Sequence, residues 1–144
     1  MKPEHSAGYL MNHLARQFAI LLTERLKPLG ISPAQFPILL YLWEQDGLSQ
    51  HELVEKTDLR QATIANTLMR MERDGLIVAE KDPNDSRVKR FKLTPKSKKL
   101  QQDSTRIADG INQEALAVLS GEEQEHFLQM AQKVIVRQKK MMGE

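Results

Sequence analysis

The chain has 144 residues, enough for one folded domain with an apolar core, and its 21 basic against 19 acidic residues give a formal net charge of only +2. That balance does not by itself indicate a nucleic-acid partner, and the absence of cysteine excludes disulfides, thiolate metal sites and thiol redox sensing. Because no apolar run is long enough to cross a bilayer and the first residues do not resemble a signal peptide, the sequence predicts a cytoplasmic protein without a membrane partner.

The first predicted helix covers residues 6–29 and ends where Pro28 and Gly30 interrupt the pattern. Apolar residues recur along it at helical spacing and predict an amphipathic stripe. The stripe consists of Leu10, Leu14, Phe18, Leu21, Leu22 and Leu26.

A second helix is predicted to begin with the segment Ser32-Pro33-Ala34-Gln35 and to end at Asp46-Gly47. Serine suits the N-cap, proline suits the first helical position, and Gln35 is placed to complete a capping box. Pro37 removes one early backbone hydrogen bond, so we expect it to bend this helix.

Two shorter helices follow. Ser49 and Glu52 form a capping box that starts the first, and residues 57–59 make a tight connection to the second. The second runs over residues 61–74, with Ile64, Leu68 and Met71 on one apolar face. Gly75 is placed to be its C-terminal left-handed residue.

The apolar period then changes from that of a helix to that of a strand. Residues 76–81 and 90–93 are predicted strands, separated by the turn formers of residues 82–86, which predicts a β-hairpin with a long tip. A long helix follows from Thr94-Pro95 to residue 119, and Ser120 starts a last helix with another capping box. The apolar side of the last helix carries Phe127, Met130, Val134 and Met141.

The charge is unevenly distributed along the chain. Residues 81–100 contain eight basic and two acidic residues, a net +6, which leaves −4 for the rest. Such a stretch is either a solvated surface hairpin or the electrostatic footprint of an anionic polymer, and charge alone favours neither.

The order of short helix, tight turn, second helix and basic hairpin is typical of a winged helix-turn-helix. An α-helix fits the major groove of duplex DNA, where base edges carry a distinct pattern of donors and acceptors. The predicted second helix of this unit carries hydrogen-bonding residues away from its apolar line. They are Gln61, Thr63, Asn66, Thr67 and Arg70.

With these motifs in place, the sequence from Tyr9 to Lys140 resembles the MarR (multiple antibiotic resistance regulator) family of transcription factors. The most specific matches are Gly75-Leu76-Ile77, Asp82-Pro83-Asn84-Asp85-Ser86-Arg87 and Lys92-Leu93-Thr94. In that family an Asp-x-Arg pair, here Asp85 and Arg87, lies in the wing and the aspartate orients the arginine toward the minor groove. The chemistry agrees, because a carboxylate two residues away can hold a guanidinium fork by paired hydrogen bonds.

The resemblance implies a mainly α-helical fold, with a winged helix-turn-helix core over residues 31–94. Residues 1–30 and 95–144 would form a helical dimerisation region, although their apolar faces could also pack internally. The implied function is a homodimeric regulator, most often a repressor, that binds a pseudo-palindromic duplex site. Arg60, Lys89 and Arg90 would add phosphate contacts. The family's peroxide-sensing branch is excluded, because the chain has no cysteine.

The resemblance also implies a pocket for a small aromatic acid or phenol between the dimer helices and the winged domain. Tyr9, His13, Arg16 and Tyr41 are the candidate polar contacts to such an effector. The alternative is that these side chains have structural or interface roles, which is the more usual case for a tyrosine and a histidine near a helix start.

Two other functions compete with DNA binding. An enzyme is poorly supported, since the isolated glycines form no phosphate-binding loop and no two histidines have metal-ligand spacing, so we expect neither a cofactor nor a metal. A winged-helix module that binds protein instead of DNA is the closer rival, and it predicts no salt-dependent binding of duplex.

Overall fold

The computed structural model describes residues 1–143, which form a mainly α-helical protein with a small sheet. This confirms the predicted fold class. The helices are α1 Ala7–Leu26, α2 Phe36–Glu44, α3 Gln50–Thr57, α4 Gln61–Arg73, α5 Pro95–Leu116 and α6 Gly121–Met141. The strands are β1 Leu48–Ser49, β2 Ile77–Lys81 and β3 Lys89–Leu93.

Serine residues cap the starts of α1, α3 and α6. The sequence predicted the capping boxes of α3 and α6. The side chain of Ser6 accepts a hydrogen bond from the Tyr9 backbone N–H at 3.2 Å and caps α1. Both halves of the capping box are present at the start of α3, around Ser49, and at the start of α6, around Ser120. Each box satisfies backbone donors that the first helical turn leaves without partners.

The start of the second helix differs from the prediction. α2 begins at Phe36, not at Pro33, although Gln35 does accept a hydrogen bond from the Ser32 backbone N–H at 3.2 Å. Residues 33–35 form a turn instead. Pro37 consequently lies in the first turn of α2, where its missing N–H would have had no helical partner, so the expected reason for a bend is absent.

The three strands form one antiparallel sheet in the order β1-β3-β2. Strands β2 and β3 pair from Ile77–Leu93 at the base to Lys81–Lys89 near the tip, and this hairpin is the wing. The two-residue β1 pairs Leu48 with Phe91 and was not predicted, because it is too short to show an apolar period.

Contacts divide the chain into two compact units, one over Met1–Ala108 and one from Asp109 onward. The first unit holds an apolar core drawn from α2, α3, α4 and the sheet. The fully buried members include Leu26, Ile38, Leu39, Leu42, Leu48, Leu53, Ile64, Met71, Leu76 and Ile77. This core fixes α4 against the base of the wing.

Much of the predicted apolar surface of α1 and α6 lies outside any core. On α1, Leu26 of the predicted stripe is buried and Leu10 is 38% exposed, and Ile20, which the stripe did not include, is 60% exposed. On α6, Val134 is 55% exposed and Met141 is 70% exposed. No helix within residues 1–143 combines the length and the hydropathy that crossing a membrane requires.

Candidate nucleic-acid interface

Helix α4 presents one face to the core and the opposite face to solvent. Ile64, Leu68 and Met71 are buried, whereas Asn66 and Arg70 are exposed, as the sequence predicted for this polar face. A shallow depression of about 370 Å³ runs along the exposed face. Its lining consists of Asn66, Met69, Arg70 and Arg73.

The flanks of this face carry three further predicted residues. Gln61 and Thr63 are exposed in the first turn of α4. Arg60 is the N-cap residue, and its exposed side chain makes no capping hydrogen bond. The N-terminal half of the exposed face therefore offers amide, hydroxyl and guanidinium groups, which are the groups that read base edges and phosphates.

Thr67 does not belong to this surface. Its side chain is only 5% exposed, and its hydroxyl donates a hydrogen bond to the Thr63 carbonyl at 2.8 Å. The placement of Thr67 on the DNA-facing surface is therefore corrected. The reason is geometric, because Thr67 follows Ile64 by three positions and shares the core-facing side of the helix.

The sequence did not predict that two residues of α4, Met69 and Arg73, would be exposed on this face. Met69 is 67% exposed, and Arg73 is exposed at the last turn. Apolar type alone assigns a methionine to the core. The helical period gives the opposite answer, because Met69 stands five residues after the buried Ile64 and so lies on the far side of the helix.

The wing tip carries the predicted pairing of Asp85 with Arg87. The arginine Nε and Nη2 donate to the two oxygens of the Asp85 carboxylate at 3.0 and 3.2 Å, and the Arg87 backbone N–H donates to the same carboxylate at 3.1 Å. The Arg87 side chain is 89% exposed. The arginine hydrogen bond lowers the pKa of the Asp85 carboxyl and raises that of the Arg87 guanidinium.

Asp82 organises the chain that leads to this tip. Its Oδ1 accepts hydrogen bonds from the backbone N–H groups of Asn84 at 2.7 Å and Asp85 at 3.2 Å, which closes the loop in an Asx-type turn. Its Oδ2 accepts from Arg90 Nε, and this bond is the largest cause of the lowered pKa of Asp82. Only 9% of the Asp82 side chain is exposed.

Arg90 is placed differently from the prediction that it contacts phosphate. Besides Asp82, it donates through Nη1 to the Gly47 carbonyl at 3.1 Å and to Glu52 Oε1 at 2.9 Å. Burial of the Glu52 carboxylate opposes its ionisation, but hydrogen bonds from Ser49 and Arg90 outweigh burial and lower the pKa of Glu52. The guanidinium is therefore already engaged by protein acceptors, whereas the neighbouring Lys89 is exposed.

The base of the wing is bonded to the turn that follows α4 and to the start of α5. Thr94 Oγ1 donates to the Gly75 carbonyl at 2.6 Å, and Ser97 Oγ donates to the Leu76 carbonyl at 2.7 Å. Gly75 has the predicted left-handed conformation, with φ at 73°. These bonds hold the end of α4 in a set position relative to the hairpin.

A long-range pair fixes the C-terminal end of α4. Asp74 Oδ2 accepts a hydrogen bond from Gln35 Nε2 at 2.9 Å, and Oδ1 accepts from Arg73 Nε at 3.2 Å. The hydrogen bond from Gln35, followed by that from Arg73, lowers the pKa of Asp74. Gln35 is buried, so the turn before α2 and the end of α4 are coupled.

Several basic side chains of residues 81–100 form ion pairs with carboxylates, which neutralise part of the +6 charge of this stretch. Arg87 and Arg90 have the carboxylate partners described above, and Lys92 Nζ lies 3.2 Å from Glu80 Oε2 on the hairpin. The other basic side chains of this stretch are exposed. They are Lys81, Lys89, Lys96, Lys98 and Lys99.

The candidate effector residues do not converge. Tyr9 and His13 make an edge-to-face ring contact on α1 with centroids 5.8 Å apart, and Arg16 is exposed one turn further on. The Tyr41 hydroxyl donates to the Lys56 carbonyl at 3.0 Å, and the Lys56 ammonium lies 5.7 Å from the Tyr41 ring. Within the described part of the chain, no hydrogen bond or ring contact joins Tyr41 to the three residues of α1. Tyr41 therefore has a structural partner of its own.

The described residues also form no cluster of side chains suited to binding a metal ion. Over residues 1–143, no three of the histidine, aspartate and glutamate side chains come together as a metal ion would require.

Comparison with known proteins identifies the family. The MarR family model matches residues 31–89. The transcriptional regulator HosA of Escherichia coli O111:H- is 34% identical over 105 residues, which cover 73% of this chain and 78% of HosA. The chain belongs to the MarR family.

Solved structures agree with this assignment. The S. aureus MepR–DNA complex superposes with a TM-score of 0.83 and 28% identity, covering 92% of this MarR-family chain and 98% of MepR. The PcaV transcriptional regulator of Streptomyces coelicolor, solved with its natural ligand, gives a TM-score of 0.82 and 25% identity, with coverages of 94% and 95%. This MarR-family chain is therefore a transcriptional regulator with a winged-helix fold, as its sequence predicted.

Proposed function

We propose that this regulator represses transcription by binding a pseudo-palindromic duplex site as a homodimer. The observation that carries the proposal is the exposed guanidinium of Arg87, held by Asp85 at the tip of a wing whose base is bonded to the turn that follows α4. Because the side chain of such an arginine is already held in one orientation, little conformational entropy is lost when it enters a minor groove. The protein acts by binding and not by catalysis, and it works in the cytoplasm, where it meets DNA.

The exposed face of α4 occupies the major groove in this proposal. Gln61, Thr63, Asn66 and Arg70 supply hydrogen bonds to base edges, and Asn66 suits an adenine edge because its amide can pair with two groups there. Arg60 and Lys89 neutralise phosphates on either side. The DNA complex of S. aureus MepR supports this use of the fold.

Dimerisation supplies the symmetry that the site requires. Residues 1–30 and 95–144 contain α1 and α6, which carry exposed large apolar side chains such as Ile20, Val134 and Met141, and exposed apolar surface is a mark of protein interfaces. A second copy would cover them and would place two α4 helices about a two-fold axis. The half-sites would then lie about one helical turn apart, ~10 bp.

An effector of the small aromatic acid or phenol class would relieve repression. Tyr9, His13 and Arg16 on α1 are its proposed contacts, whereas Tyr41 is assigned a structural role because its hydroxyl is already bonded. The ligand complex of S. coelicolor PcaV supports an effector site in this fold. The ligand shifts DNA affinity only as far as it prefers one spacing of the two α4 helices over the other.

Selection of bound sequences from random duplexes by the purified chain tests the proposal. We expect enriched sequences with two-fold symmetry and an affinity that falls steeply as salt rises. The rival function, a winged-helix module that binds only protein, predicts no enrichment and no salt-dependent binding. Affinity that stays flat from low to physiological salt would reject the DNA-binding proposal.

A further inference from the structure

Arg90 lies at the centre of a hydrogen-bond network that joins the wing to α3. Its Nε donates to Asp82 Oδ2 at 2.5 Å, and its Nη1 donates to the Gly47 carbonyl and to Glu52 Oε1. These acceptors come from the wing loop, the turn before β1 and the first turn of α3. One planar side chain therefore links the wing to the region around β1 and the start of α3, whose two acceptors lie 43 and 38 residues before Arg90.

The network continues beyond Arg90 at both ends. On the wing side, the carboxylate of Asp82 that holds Arg90 also accepts the backbone N–H of Asp85, which in turn holds Arg87. On the helix side, Glu52 Oε1 also accepts the Ser49 backbone N–H at 3.3 Å, as part of the capping box of α3. Hydrogen bonds thus run without interruption from the DNA-facing arginine to the helix-turn-helix.

The charge around Arg90 does not suit a phosphate contact. One guanidinium faces the carboxylates of Asp82 and Glu52, so the three side chains together carry a formal charge of −1. Only 37% of the Arg90 side chain is exposed, against 89% for Arg87. A guanidinium that faces two carboxylates and is mostly covered releases few counterions from DNA, unlike the exposed Arg87 with its single carboxylate partner.

We propose that Arg90 is a positioning residue that holds the wing tip, and with it Arg87, at a fixed place relative to α3 and α4. The inference rests on the proposed DNA-binding function. A protein that must engage two grooves at once binds well only if its two reading surfaces are already correctly spaced, because any free movement must be frozen on binding. Arg90 supplies that spacing without contacting DNA.

Two substitutions separate positioning from phosphate contact. Arg90→Lys keeps the charge and loses the planar fork, and Glu52→Gln removes a negative charge near the wing. If Arg90 contacts phosphate, Arg90→Lys binds nearly as well as the parent chain and Glu52→Gln binds more tightly. If it positions the wing, both variants bind more weakly, by about 2- to 30-fold.

The salt dependence and the double variant sharpen this test. Positioning predicts that the salt slope of the charge-removing variant Arg90→Gln equals that of the parent chain, because no phosphate contact is lost, whereas a phosphate contact predicts a shallower slope. Positioning also predicts that the double variant binds no more weakly than the weaker single variant, since both break the same network. Glu80→Gln, which removes an exposed wing carboxylate from its pair with Lys92, is the matched control and should show no loss of affinity. Urea unfolding confirms that every variant is folded.

A distance measurement tests the network without DNA. Because the chain has no cysteine, spin labels on the double variant Ser86→Cys and His51→Cys attach only at the wing tip and on α3. Labelled chain is diluted with excess unlabelled chain, so that distances within one chain dominate. We expect a narrow distance distribution that broadens when Arg90→Lys or Glu52→Gln is added.

Each outcome decides one of the two proposals. Equal widths in all backgrounds, or tighter DNA binding by Glu52→Gln, would overturn the positioning role of Arg90. Failure of the parent chain to bind any duplex would instead reject the proposed function, and the spin-label distances would still decide whether Arg90 fixes the wing.

Discussion

Replacement of Arg87 by alanine is the most direct test of how the wing contributes to DNA binding. The substitution removes the most exposed guanidinium of the wing, whose side chain is 89% accessible, and breaks its two side-chain hydrogen bonds to Asp85. It changes nothing in the apolar core. We therefore expect folding to be unaffected and DNA affinity to fall for all duplex sequences.

The size of the effect follows from counterion release. Each neutralised phosphate contributes about 0.9 to the slope of log affinity against log salt, so two copies of Arg87 in a homodimer contribute about 1.8. Between about 50 mM and about 200 mM salt, the parent chain should lose about twelvefold more affinity than Arg87→Ala. At low salt the variant should be weaker, and the two affinities should converge as salt rises.

Fluorescence anisotropy with a labelled duplex, titrated at several salt concentrations, measures the two slopes. Lys92→Ala is the matched control, because it removes the same charge from the same hairpin, but its side chain lies along β3 and is 49% exposed, against 89% for Arg87 at the tip. Its slope should change by much less. A slope for Arg87→Ala equal to that of the parent chain, or an equal reduction in Lys92→Ala, would refute the assignment of Arg87 to the DNA.

Three further predictions concern stability, each followed by urea unfolding. Ser49→Ala should lower the free energy of unfolding by about 1 kcal/mol through loss of its capping box, and an unchanged urea midpoint would contradict this. Leu53→Ala should cost about 2–5 kcal/mol because its side chain is fully buried, whereas Val78→Ala, 47% exposed on the wing, should cost less than about 0.5 kcal/mol. Asp74 contributes stability above its ordinary pKa of 3.8 and loses it as the pH falls through its lowered folded-state pKa, so Asp74→Asn should flatten the acid side of the stability curve. Superimposable curves for Asp74→Asn and the parent chain would show that the Gln35 and Arg73 bonds do not stabilise the fold.

Contacts between near neighbours in sequence were predicted correctly. The capping boxes at Ser49 and Ser120 span three residues, and the pairing of Asp85 with Arg87 spans two. Gly75 is left-handed because the end of α4 demands a positive φ there. These features depend on local geometry that residue types determine wherever the segment is placed in the fold.

Contacts between distant segments were not predictable in the same way. The start of α2 differs from the prediction, and its Gln35 is bonded to Asp74, 39 residues away. Arg90 was assigned to phosphate, yet its partner Glu52 lies 38 residues earlier. The packing of whole helices and strands decides which distant residue a flexible polar side chain contacts. A single sequence carries no direct record of that packing.

The sequence by itself determined the order of the helices and of the two wing strands, the exposed Gln61, Asn66 and Arg70 of α4, and the pairing of Asp85 with Arg87 at the tip. It did so because helical period, capping and turn chemistry act over a few residues. Only the tertiary structure decided that Arg90 joins the wing to α3 and that Gln35 is bonded to Asp74. Those outcomes depend on which carboxylates the packing of whole elements brings to the sheet and to the turn before α2, and so the net charge of residues 81–100 overstated how many cations are free to meet DNA.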